Sequence, residues 1–136
     1  MASTSTILCS FVLAVLLSSP LNGQTELELV RELVAPSLYP DAQLEVRMTD
    51  GTRADIVTDT WAVEVDRPKK WYEAVTQSLH YARLSHRNPA VVLVVPKSSP
   101  YRDWIRCSDC AFLCGQLQIR FNVIPYDPRQ DPPALP

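Results

Sequence analysis

The chain has 136 residues, 46% hydrophobic and 21% charged, with 12 Pro and 3 Gly, which excludes collagen-like, wholly disordered and multi-domain organisation. All 13 Lys and Arg and all 15 Asp and Glu follow residue 25, so the formal charge of −2 belongs to the segment that can fold. With no basic tail and no dense Lys/Arg stripe, retention of nucleic acid by bulk phosphate neutralisation is ruled against; such a role would need a specific site.

Residues 7–17 form an eleven-residue, mostly apolar run, followed by Ser18, Ser19, Pro20 and the small Gly23. The run is shorter than the roughly 17–25 residues of a spanning helix, which favours a secretory signal over an anchor. The segment ahead of it, MASTST, lacks the usual Lys or Arg. The expectation is a signal peptide over residues 1–23 and a secreted or periplasmic protein. No stable membrane span would remain after cleavage, whereas an uncleaved segment would leave the chain attached to the membrane.

In the next segment Leu27, Leu29, Val30, Leu33 and Val34 make a helical apolar stripe opposite Glu28, Arg31 and Glu32, with Pro36 and Pro40 expected to close it. Leu44, Val46 and Met48 then alternate with polar residues up to the turn signal Asp50-Gly51. Alternation resumes over residues 53–59, predicting a two-stranded hairpin. A third strand over 61–66 follows almost without a loop. Residues 69–85 turn helical, with Trp71, Val75, Ser78, Leu79 and Ala82 on one face and Pro68 in the first turn. Residues 90–95, AVVLVV, are apolar on both alternating sides and predict an internal strand covered on both faces. A helix over 104–117 and a last strand with Ile119, Phe121 and Val123 complete an αβββαβαβ order, which implies an α/β sandwich with helices on a mixed central sheet. The globular part is placed at 24–124, and a loose Pro-rich tail at 125–136, where five of twelve residues are Pro.

On the second strand Asp55, Val57 and Asp59 share a face; on the third, Ala62, Glu64 and Asp66 share one while Trp61, Val63 and Val65 point away. Carboxylates meeting across neighbouring strands among apolar residues repel each other and are costly to bury without a cation between them. Hard oxygen ligands of this kind suit Mg²⁺. The bland alternative pairs Asp55 with Arg53 or Arg67 and turns Glu64 to solvent. Asp66 reads equally as a helix N-cap or as a third metal ligand.

This order of elements, together with the stretch RADIVTDTWAVEVDRPKKWYEAVTQSLHYA, resembles the PD-(D/E)xK nuclease superfamily, whose core is αβββαβ. Asp55 stands at its first motif position and Glu64 at its second. Gln77 and Tyr81 keep a Q-x-x-x-Y spacing like that of RecB-type exonucleases. The third motif position, a lysine in the family, is Asp66 here. Lys70, within about 40° of Gln77 and Tyr81 on a helical wheel, is the candidate for a displaced lysine, against a solvated first-turn Lys.

What the resemblance implies is metal-assisted phosphodiester hydrolysis of nucleic acid with Mg²⁺ or Mn²⁺. Asp55, Glu64, Asp66 and the Val65 carbonyl would hold the metal, and Lys70, Gln77 and Tyr81 would act at the catalytic site. One helix-one carboxylate, Glu28 or Glu32, would assist. Arg53, Arg67 and Lys69 would contact phosphate. The competing expectation is a catalytically silent nuclease-fold module that binds a partner at the cell envelope. Cys107, Cys110 and Cys114 at helical spacing read as small core residues, with a bridge or metal site as the alternative. His80 and His86 read as surface residues.

Overall fold

In the computed structural model the described residues are 25–128. The apolar run at 7–17 and the cleavage position at Gly23 lie outside them, as does the tail from residue 129. A helical stretch comes first, formed by α1 (Glu26–Leu29), a π turn (Val30–Val34) and α2 (Ala35–Leu38). Next come β1 (Gln43–Arg47), β2 (Arg53–Val57), β3 (Trp61–Asp66), a 3₁₀ turn (Pro68–Lys70), α3 (Trp71–Ser85), β4 (Asn88–Pro96), α4 (Tyr101–Gln116) and β5 (Arg120–Tyr126). The expected α/β class and element order hold. No helix among the described residues is long and apolar enough to cross a membrane.

The five strands form one mixed sheet in the order β1-β2-β3-β4-β5, antiparallel from β1 to β3 and parallel from β3 to β5. β4 organises the layers. Its Ala90, Val92 and Val94 pack with Leu29, Val30 and Val34 of the N-terminal helical stretch. The alternate Val91, Leu93 and Val95 pack with Trp71, Ala74 and Val75 of α3 and the three cysteines of α4. All six β4 residues are fully buried, as a strand covered on both faces requires.

Several boundaries depart from the sequence expectation. Pro36 does not close the first helix: the backbone stays helical to Leu38, and the widened π turn directly precedes the ring, where a regular turn would clash. Leu44 and Val46 do not share a face. Glu45 between them adopts a left-handed φ of 56°, Leu44 packs under the N-terminal helical stretch, and Val46 packs with Met48 and Tyr81 on the other side. Their partners Ile56 and Ala54 divide in the same way, so the hairpin rolls over at Glu45 and Asp55. β2 ends at Val57, because the Thr58 hydroxyl takes the N–H groups of Thr60 and Trp61 and turns the chain before Asp59.

Leu79 and Leu117 are exposed rather than in the core. On α3 the buried arc instead includes Tyr81, so the helix is rolled toward the Lys70–Gln77–Tyr81 flank and away from Leu79. β5 continues through Pro125 to Tyr126, so the boundary placed at residue 124 is too early. As the edge strand, β5 tolerates a residue without an N–H.

Truncating Leu93, fully buried between layers, is expected to cost about 2–5 kcal/mol. Urea unfolding of Leu93→Ala should show a lowered midpoint with an unchanged slope; a loss below about 1 kcal/mol would contradict two-sided burial.

Candidate functional site

The roll-over of the hairpin places an acid where β2 and β3 separate. Ladder pairing between these strands is confined to Ile56 with Val63 and Val57 with Ala62. Beyond it, the Val65 N–H donates to the Asp55 carboxylate at 2.8 Å. Asp55 thereby acts as a side-chain spacer between two diverging strands. Glu64 and Asp66, on the β3 face that carries Ala62, open toward the same gap, and both are nine-tenths or more buried.

The gap is a hollow of about 390 Å³ lined by Glu26, Leu27, Glu45, Arg53, Asp55, Glu64, Asp66, Lys70, Glu73, Gln77 and Tyr81. Six carboxyl groups meet two cations there. One ligand oxygen each from Glu26, Asp55 and Glu64 lies within 4.8 Å of the others. Glu64 Oε2 is buried without a hydrogen-bond partner. Two parts of the bland alternative do not hold: Arg53 bonds Glu45 at 2.9 Å, and Glu64 is 5% exposed rather than turned to solvent.

Burial pushes the Asp55 and Glu64 carboxyls well above the ordinary range, and each is raised further by neighbouring acids, Glu26 and Asp66 among them. The Val65 N–H opposes the rise at Asp55. Asp66 is pushed up to about 6, chiefly by burial, with the Arg67 N–H and the Lys70 ammonium holding it back. Asp66 is no helix cap: it accepts the Arg67 N–H at 2.7 Å, and α3 begins at Lys70 without a side-chain cap. A carboxylate at the end of a strand reaches its own next N–H before the chain has turned into the helix.

From α3, Lys70, Gln77 and Tyr81 line the hollow on one flank, as their helical spacing predicts. The Tyr81 hydroxyl is pushed up by burial and by Glu64 and Asp55. Of the basic residues, Arg53 lies in the hollow. Arg67 and Lys69 do not: they line a separate depression with Pro68, Pro96, Ser99, Asp103 and Tyr126. Lys69 faces away from Lys70 because the 3₁₀ turn advances about 120° per residue, and Arg67, still extended ahead of that turn, alternates to the face opposite Asp66.

The helix-one acid at the site is Glu26, neither Glu28 nor Glu32. Glu28 is engaged in a capping box with Thr25, and Glu32 lies outside the hollow. Glu26 precedes the fully buried Leu29 and Val30 by three and four positions, a signal that placed it on the inward stripe. Glu45 and Glu73 were equally unmarked by any motif. The cysteines take the core role: all three are free and buried, with Cys110 and Cys114 sulfurs 3.9 Å apart. His80 pairs with Asp50 at 2.7 Å on the surface, and His86 closes α3 in the left-handed conformation.

In comparisons with known proteins, the chain matches no family model, no curated protein and no solved structure.

The donor set fits a hard divalent cation. It is all-oxygen and mutually repulsive, and it includes a buried oxygen lacking any donor; Mg²⁺ and Mn²⁺ take such ligands. Raised carboxyl pKa values mean that the folded metal-free chain binds more protons than the unfolded chain above about pH 4, so its stability falls as pH rises. The melting temperature without metal is expected to drop between pH 5 and pH 8. Glu64→Gln should shrink the drop, and Mn²⁺ added at pH 8 should reverse it by binding the deprotonated acids. A melting temperature indifferent to pH and metal would show the three acids to be solvated.

Proposed function

We propose that this chain is a PD-(D/E)xK-like phosphodiester hydrolase acting on nucleic acid with Mg²⁺ or Mn²⁺, on a restriction-endonuclease-like arrangement of the α/β sandwich. One observation carries the reading: Asp55, Glu64 and Glu26 converge within 4.8 Å in a hollow that Lys70, Gln77 and Tyr81 also line. Export to a secreted or periplasmic location is proposed with it, on the apolar run at residues 7–17.

In this reading Asp55, Glu64 and Glu26 hold the cation, with Asp66 beside them. A bound Mg²⁺ or Mn²⁺ supplies Lewis-acid polarisation of the phosphoryl oxygen and a water of lowered pKa. Lys70, the one lysine lining the hollow among the described residues, would substitute for the family's strand lysine; its ammonium would offset charge developing on phosphate and orient the attacking water. Gln77 presents an amide that can donate to a phosphate oxygen and accept from a water. Tyr81, kept protonated by burial, donates to the phosphate. Arg53, partly neutralised by Glu45, marks the mouth where a strand would enter.

The excess of carboxylates supports a second reading, a nuclease-fold module without catalysis that binds a partner at the cell envelope. An assay separates the two. The purified protein, incubated with single- and double-stranded DNA and RNA and either metal, is expected to cleave at least one substrate. Glu64→Gln should reduce cleavage to background and Lys70→Met should slow it about 10²–10³-fold. Equal cleavage by wild type and Glu64→Gln, or none on any substrate with either metal, removes the hydrolase.

A further inference from the structure

Helix α4 carries a second surface, remote in character from the acidic hollow. Its inward face is Asp103, Cys107, Cys110 and Cys114, all buried. The opposite face presents Tyr101, Ile105, Ser108 and Phe112 at the i, i+4, i+7, i+11 spacing of one helical stripe, roughly 16 Å long. These are not marginal exposures: Tyr101 is 78% exposed, Phe112 71% and Ile105 45%. Three large apolar side chains aligned on one outward helix face, interrupted only by the small Ser108, mark a contact surface more strongly than scattered exposed residues do.

Beside this stripe, on one flank, stand Arg102 and Asp109, seven positions apart and both exposed. Neither has an ion-pair partner among the described residues. The Asp103–Arg106 pair at 2.7 Å lies nearer the buried side and is internally satisfied. A stripe flanked by one positive and one negative charge at heptad spacing is complementary to itself in only one direction. In two parallel copies the charged flanks fall on opposite sides of the contact, and Arg102 and Asp109 meet no counterpart. Two antiparallel copies related by a twofold axis set Arg102 of each against Asp109 of the other. Within an axial offset of about 3 Å of that pairing, Tyr101 meets Phe112 at both ends and Ile105 meets the small Ser108 at the centre, a distance the long Arg102 side chain spans.

We propose that this face of α4 is a self-association surface, pairing two copies of the chain antiparallel through Tyr101, Ile105, Ser108 and Phe112 and bracketed by reciprocal Arg102–Asp109 ion pairs. A single helix stripe covers less than the roughly 800 Å² per partner of a standard interface, which places the contact among weak, concentration-dependent associations. Charge complementarity sets the direction and register of pairing, while the aromatic and aliphatic side chains supply most of the affinity.

The test is sedimentation of the full chain across concentration, in wild type, Phe112→Glu, Arg102→Asp, Asp109→Arg and the double Arg102→Asp/Asp109→Arg. Wild type is expected to dimerise and Phe112→Glu to stay monomeric. Each single reversal places like charges together twice and should weaken the dimer by about tenfold or more. The double reversal should return it to within about threefold of wild type, an outcome that a folding defect cannot imitate. A monomeric wild type at all concentrations overturns the proposal and leaves the face to a different partner. Association insensitive to the charge reversals, as the apolar run at 7–17 would produce, overturns it as well. The result is independent of the cleavage assay.

Discussion

Two strands that should run on as a ladder are held apart by one side chain, and the rest of the site follows from that. The Asp55 carboxylate takes the Val65 N–H at 2.8 Å, so a backbone donor that β2 no longer reaches is still satisfied. The same separation opens a hollow over the polar face of β3, into which Glu64 and Asp66 point. Were the ladder continuous, Asp55 would be one more alternating residue and Glu64 would sit under a neighbouring strand. The local bend has a visible cause on β1, where Glu45 takes a left-handed conformation and carries its paired strand over with it.

The sandwich was readable from period alone because its strongest segments are unambiguous. AVVLVV has no polar residue on either side, and it became the strand that both helical layers grip. The α3 flank of Lys70, Gln77 and Tyr81 was equally readable, because helical geometry converts sequence spacing into angle with little freedom. Strand residues were harder. A period of two predicts that Leu44 and Val46 agree, and a single positive φ at Glu45 reverses one of them; no residue type at that position announces it. Pro36 and Pro125 misled for a related reason. Proline removes one N–H, but the widened π turn ahead of Pro36 relieves the clash of its ring, and a sheet edge has an unpaired N–H to spare.

The acids followed the same division. Asp55, Glu64 and Asp66 were visible because neighbouring strands bring their rows together, and burial then supplied what the sequence lacked, a cost for leaving them charged. Glu26 was overlooked because attention to apolar positions discards a charged residue that sits on the apolar stripe. Such a residue is the informative one. An acid one turn before Leu29 and Val30 shares their side of the helix and, though exposed, brings a carboxylate oxygen within 4.8 Å of ligand oxygens of Asp55 and Glu64. Conversely Arg67 and Lys69, adjacent in sequence to the site, are turned away from it, Arg67 by strand-like alternation after Asp66 and Lys69 by the 3₁₀ turn.

The charge balance of the hollow also constrains how a polyanion would approach it. Six carboxyl groups against Arg53 and Lys70 repel phosphate, and Arg53 is already spent on Glu45. Before a divalent cation is bound, the two ways to relieve that repulsion are proton uptake and expansion of the pocket. Proton uptake is the one the raised carboxyl pKa values describe. Cation and proton would therefore compete for the same oxygens, and in the proposed reading a phosphodiester would follow the cation, because protonated acids offer no positive charge to meet it. In a conventional arrangement a strand lysine would add a fixed positive charge and weaken this dependence. In the proposed reading, with Asp66 in that place, Lys70 from the turn before α3 is the one lysine lining the hollow, and a recruited cation would supply most of the charge that meets phosphate.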